Sequence, residues 1–96
     1  MNKTAEQSRE TKVVHCRREP FDVYIGRPSI WGNPFSIGKH GDRKEVIEKY
    51  RKWITRQPQL LSRLAELKGK TLGCWCKPND CHGDILIKLL EEARHV

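Results

Sequence analysis

Between residues 26 and 42 the chain reads GRPSIWGNPFSIGKHGD, four glycines and two prolines in one short run. That density of breakers excludes a helix or a regular strand, so the regular structure must lie on either side of an ordered loop. Loops of this length inside compact domains are more often functional than passive. This one also carries Trp31 and Phe35, which a solvated linker does not need. Gly26 and Gly32 permit unusual backbone angles or close approach to a ligand, Pro28 and Pro34 stiffen the path, and Arg27 is a fork-shaped binder of phosphate or carboxylate. The loop could cradle a phosphate or a base, with Trp31 or Trp75 as a stacking face. Equally, Trp31 and Phe35 could anchor the loop into a small core.

The flanking segments read as α/β. KVVHC (12–16) and FDVYIG (21–26) are short, β-branched or aromatic, and separated by polar residues, which marks two strands. Asp42 followed by Glu45 is an acidic capping pattern. Val46, Ile47, Tyr50, Trp53 and Ile54 then fall on one helical face, predicting a helix over 43–56. After Pro58 a second, shorter helix is expected with Leu60, Leu61, Leu64 and Leu67 inward, ending at Gly69. KTLGCWC (70–76) returns to strand character, and CHGDILIKLLEEA forms a terminal helix capped by Asn79 or Asp80, with Ile85, Leu86, Leu89 and Leu90 on its buried face. The order ββααβα implies a small single α/β domain over 12–96, its short, mostly parallel sheet flanked by helices and 43–69 as crossover. A flexible arm is expected over 1–11.

At 96 residues there is room for one modest core, near the size at which a metal or a partner often supplements it. No apolar run approaches the roughly 20 residues of a membrane helix. The polar start MNKTAEQSRETK lacks the apolar stretch of a signal peptide, so a cytoplasmic setting is expected. In such a reducing setting the four cysteines should be thiols or ligands. The net charge of +7 favours polyanionic partners, nucleotide or nucleic acid, although lysines that merely solvate helix faces account for it equally.

Three of the cysteines and a histidine crowd into GCWCKPNDCHGD: Cys74, Cys76, Cys81 and His82. In a strand Cys74 and Cys76 share a face and Trp75 points away, while the helix that follows opens just beyond the strand's carboxyl end, where open α/β sheets place ligands. Three readings stay open. Zinc suits this donor set, although C-x-C-x4-C-H departs from the commoner C-x2-C spacing and adjacent helical residues diverge by about 100°; Cys16 is a possible substitute ligand. A thiolate at Cys81 is favoured by a helix N-terminus beside a histidine, with His82 and Asp84 as base and orienter. Third, buried cysteines commonly just pack a core.

The paired stretches VYIGRPSIWGNPF and LGCWCKPNDCHGDIL make the chain, over about residues 12–92, resemble a small family of uncharacterised domains common in bacteriophages and bacteria. The resemblance implies a compact phage-type α/β domain of unassigned activity. The family's shared polar positions fall here on Arg27, Ser29, Trp31, Asn33, Cys74, Trp75, Cys76, Cys81, His82 and Asp84, and many similar chains differ at Cys16. The expectation is a domain directed at a nucleotide or nucleic acid, enzyme-like, with catalytic candidates Cys81, His82 and Asp84. Arg27, Ser29, Trp31, Asn33 and Trp75 would bind the ligand, with the amides of 81–83 helping to hold phosphate. Cys74, Cys76, Cys81 and His82 would be the zinc ligands. The rival is a noncatalytic basic accessory module for nucleic acid or a host protein, its basic face made by Lys49, Lys52 and Arg56 on one helical stripe with Arg17, Arg18, Lys39, Arg43 and Lys44 nearby, and the cysteines structural.

Overall fold

The apolar, β-branched run after Thr11 forms strand β1 (Lys12–His15), and VY forms the short strand β2 (Val23–Tyr24). Strand β3 (Thr71–Cys74) lies between them and pairs in parallel with both, Val13 and Val23 each opposite Leu72. The computed structural model describes residues 10–93. The arm expected over 1–11 therefore lies outside the described residues up to position 9. Thr11, its last residue, is tied down: its hydroxyl donates to the Leu67 carbonyl and accepts from the Gly69 amide.

Helix α1 (Arg43–Ile54) starts as its sequence predicts. The Asp42 carboxylate accepts from the Glu45 amide and the Glu45 carboxylate accepts from the Asp42 amide, each at 2.8 Å, a complete capping box. Val46, Tyr50 and Ile54 are buried on one face at helical spacing. The second helix is shorter than expected: α2 spans only Pro58–Leu61, and a 3-10 turn, Leu64–Leu67, completes the segment. Leu60, Leu64 and Leu67 are buried, whereas Leu61 is exposed, because helical spacing carries position 61 about 100° away from that shared face. The terminal helix α3 (His82–Ala93) buries Leu86, with Ile85, Leu89 and Leu90 packed against the core from its edge.

Two close approaches decide how these pieces stack. At Gly83, in the first turn of α3, a Cβ would lie 2.7 Å from Ile25 Cδ1 and 2.8 Å from Val13 Cγ2, so the bare backbone is what lets the helix start sit on the sheet. At Gly73, on β3, a Cβ would come within 2.6 Å of the Phe21 ring. The connection from β1 to β2 thus passes over the middle strand by laying an aromatic ring on a residue without a side chain.

The breaker-rich loop is anchored in the core at Trp31, which is 4% exposed and whose carbonyl accepts from the buried Tyr50 hydroxyl at 2.8 Å. Burial raises the Tyr50 pKa above its usual value, so the phenol stays a donor. Tyr50→Phe keeps the packing but strands that carbonyl. It should lower stability in urea unfolding by about 1–3 kcal/mol; an unchanged midpoint would show that the loop is held by packing alone.

Candidate functional site

Because β2 and β3 are parallel neighbours, the loop leaving β2 and the segment leaving β3 emerge at the same edge of the sheet. Between them lies a pocket of about 330 Å³. Gly26, Arg27, Asn33 and Phe35 form one side of it, Cys74, Trp75, Cys76, Cys81 and His82 another, and Arg43 with Val46 closes it from α1. The peptide bonds Arg27–Pro28 and Lys77–Pro78 beside it are cis.

Cys74, Cys76 and Cys81 lie close enough to hold one metal ion, their sulfurs all within 4.8 Å of one another. They arrive by different routes. Cys74 closes β3, Cys76 sits past the strand end, and Cys81 immediately precedes α3. The predicted strand through residue 76 stops two residues early, so what gathers the two thiols is a turn in which the Cys76 amide donates to Cys74 Sγ at 3.2 Å. Cys81, rather than Asn79 or Asp80, caps α3: its sulfur accepts from the Gly83 amide at 3.3 Å and its carbonyl from the Asp84 amide at 2.9 Å. Cys74 and Cys81 are fully buried and Cys76 is half-buried. The Cys74 and Cys81 sulfurs stand at disulfide distance, with Cα atoms 7.6 Å apart. Cys16 lies outside the trio.

His82 stands beside this group, not within it. Its Nε2 lies 2.7 Å from the Ile25 carbonyl oxygen, which can only accept, so Nε2 carries the proton and Nδ1 is left facing Cys81 Sγ at 3.6 Å. The divergence expected of adjacent helical residues does not apply, since Cys81 precedes the helix. Burial, assisted by the Arg27 charge, lowers the His82 pKa, against the opposing pull of the Ile25 bond and Asp84. Asp84 is engaged locally: one carboxylate oxygen accepts from the Cys81 amide at 3.0 Å and the other pairs with Lys77 Nζ at 2.9 Å. Two of the three 81–83 amides therefore already have partners in Asp84 and Cys81 Sγ.

The loop residues divide in the same way. The Asn33 side chain donates to the Val46 carbonyl and accepts from the Phe35 amide, and the Ser29 hydroxyl accepts from the Trp31 amide, so both shape the loop. Trp31 is a core anchor, while Trp75 is 53% exposed at the pocket rim. Arg27 is held by donating to Ser36 Oγ at 2.9 Å, and Arg43 by donating to the Asp80 carbonyl at 3.1 Å. Arg43 as a pocket residue has no signature in the local sequence; it comes from the packing of α1 beside the segment before α3. Tyr24 likewise joins the site only through the fold: its hydroxyl accepts from Trp75 Nε1 and donates to the Arg27 carbonyl.

This geometry defines a class, a small α/β domain with a cysteine cluster at a ligand-sized pocket. Within it the chain belongs to a family described as a domain of unknown function, DUF4326, whose model matches residues 7–92. The chain is 42% identical to an uncharacterized protein of Acanthamoeba polyphaga mimivirus, with 71% of this chain matched; it spans 65% of that relative, slightly under two thirds. It is 36% identical to an uncharacterized 12.4 kDa protein from the nrdA-td intergenic region of Enterobacteria phage T4, across 94% of this chain and 86% of the phage protein. No solved structure matches it. Kinship with phage-type domains of unassigned activity, expected from the paired motifs, is thus shown. Among the described residues no helix is long and apolar enough to cross a membrane.

Asn33→Ala removes one hydrogen bond that holds the loop against α1 and one that shapes the loop itself, and should cost about 1–2 kcal/mol of stability in chemical denaturation. A variant as stable as the parent would mean that the loop is fixed without Asn33.

Proposed function

We propose that the domain binds a phosphate-bearing ligand of the nucleotide class in this pocket and acts on it as an enzyme, with Cys74, Cys76 and Cys81 holding zinc. The reading rests above all on two guanidinium groups and three thiols meeting around one space at the carboxyl edge of adjacent parallel strands. Arg27 and Arg43 are each positioned by a single hydrogen bond. A guanidinium has five N–H donors, so both retain the capacity to grip phosphate oxygens. Trp75 at the rim offers a stacking face to a base.

Three thiolates at zinc's usual bond length stand about 3.8 Å apart, a separation that the trio can meet with small side-chain movements. The 7.6 Å between the Cα atoms of Cys74 and Cys81 exceeds the usual disulfide span and suits sulfurs reaching a common point from two sides. The amide bonds to Cys74 Sγ and Cys81 Sγ are the kind that orient and stabilise metal-bound thiolates. Zinc bound by three protein ligands keeps a coordination position for water or substrate and supplies Lewis acidity there. The chain's own groups position the ligand: Arg27 and Arg43 neutralise it, Phe35 and Val46 shield it from water, and neutral His82 keeps the start of α3 fastened to Ile25.

A second reading draws on the burial of Cys74 and Cys81 within the hydrophobic cluster: a noncatalytic basic accessory module, for nucleic acid or a host protein, in which the cysteines only pack.

Elemental analysis of untagged protein purified under reducing conditions separates the two. The metal reading expects stoichiometric zinc, lost on Cys76→Ser and released with the thiols by chelator. Protein that never carries metal and whose thiols titrate without chelator sinks it; one fast-reacting thiol in that protein would transfer the chemistry to Cys81. In calorimetric titration with nucleoside monophosphates, Arg27→Ala and Arg43→Ala should each weaken binding about tenfold to a hundredfold. No detectable binding by the parent would overturn the nucleotide assignment.

A further inference from the structure

Beside the pocket, a row of rings runs along the carboxyl edge of the sheet: His15 at the end of β1, Trp75 after β3, Tyr24 on β2, and Phe21, which precedes β2 but reaches over Gly73; of these only Trp75 also borders the pocket. Trp75 is 53% exposed and Phe21 40%. An indole left so open is normally mobile, yet this one is fixed. Its Nε1 donates to the Tyr24 hydroxyl at 2.8 Å, and that hydroxyl in turn donates to the Arg27 carbonyl at 3.0 Å. The His15 ring stands edge-on to it at 5.7 Å, and the Arg17 guanidinium carbon lies 5.9 Å from the ring centre. Phe21 extends the row, its ring 6.2 Å from that of Tyr24 and seated on Gly73.

The charge around the row is positive. Arg17 and the exposed Arg18 share the turn after β1 with a single carboxylate, Glu19. Asp22, the other nearby acid, accepts from the Thr71 amide. Rigid exposed rings flanked by guanidinium groups, on a chain of net charge +7, match a ligand that presents flat bases and phosphates together. A duplex hides its bases in the stack and cannot use such rings, and a purely apolar partner would leave Arg17 and Arg18 without counter-charges.

We infer that this edge binds single-stranded nucleic acid, with a base stacked on Trp75, Arg17 and Arg18 holding backbone phosphates, and the next nucleotide directed into the pocket. Trp75 belongs to both features: it borders the pocket while its ring faces the row. The substrate of the proposed reaction is then a nucleotide within a strand. That last step rests on the pocket reading, whereas strand binding itself does not.

The test is fluorescence anisotropy of labelled single-stranded oligothymidylate and oligouridylate, with a duplex of equal length for comparison. Single strands should bind, less tightly as salt rises, and the duplex much more weakly. Trp75→Ala should lose about tenfold to a hundredfold in affinity and Trp75→Phe most of that less, since a ring is kept. Arg17→Ala should weaken binding and reduce the salt slope by about one. Circular dichroism melting verifies that each variant is folded. Equal affinity for duplex and single strand, or unchanged binding by folded Trp75→Ala, would overturn the inference. Preference between the two oligonucleotides assigns DNA or RNA. If single strands bind through Trp75 while mononucleotides do not bind at all, the pocket reading fails and the strand-binding edge stands; mononucleotide binding lost in Arg27→Ala, with no strand binding, does the reverse.

Discussion

The central position of β3 is the constraint on which everything else depends. It accepts parallel ladders from β1 on one side and β2 on the other, so every segment that leaves a strand's carboxyl end leaves on the same edge. Parallel pairing also requires the chain to return the length of the sheet between strands. The β2-to-β3 return takes up the breaker-rich loop, α1, α2 and the 3-10 turn; the shorter β1-to-β2 return crosses the middle strand through the contact of Phe21 with Gly73. Cys74, Cys76, Arg27 and Trp75, far apart along the chain, are neighbours for this reason.

At that edge, hydrogen bonding sorts the polar residues into two groups. Asn33, Ser29, Asp84 and His82 have their polar atoms engaged with backbone or neighbouring side chains. They determine the shape of the loop and the seating of α3. Arg27 and Arg43 are held in place by one bond each and keep further donors free, and Trp75 is oriented yet open. The distinction matters chemically, because a group can recognise a ligand only with valences the fold has not used. The thiol trio combines both roles. Backbone amides fix two of its sulfurs from within, while the half-buried Cys76 stands toward the pocket.

Much of the fold was legible in sequence because its signals are local. The capping box at Asp42 and Glu45, the spacing of Val46, Tyr50 and Ile54, and the breakers of 26–42 act within a few residues. They predict α1 and the loop closely. Prediction weakened where neighbours in space decide. Leu61 has the character of a core residue but lies on the wrong side of a one-turn helix, and Trp75 and Cys76 continue an apolar pattern past the point where β1 and β2 stop offering partners. The α3 cap moved to Cys81 because its sulfur, brought to the helix start, meets the Gly83 amide before Asp80 does anything of the kind.

From its sequence alone this protein was bound to be a small α/β unit with a cysteine-rich segment entering its last helix and a rigid, aromatic-bearing loop after its second strand. Hydrophobic period, capping residues and glycine and proline content act along the chain and need no partner to be read. Tertiary structure alone decided that those two segments share one pocket, that Cys74, Cys76 and Cys81 form the trio while His82 turns to Ile25, and that Trp31 is buried whereas Trp75 is displayed. Each depends on strand order and on which atoms meet across long sequence separations, and those contacts come into being only when the sheet closes around β3.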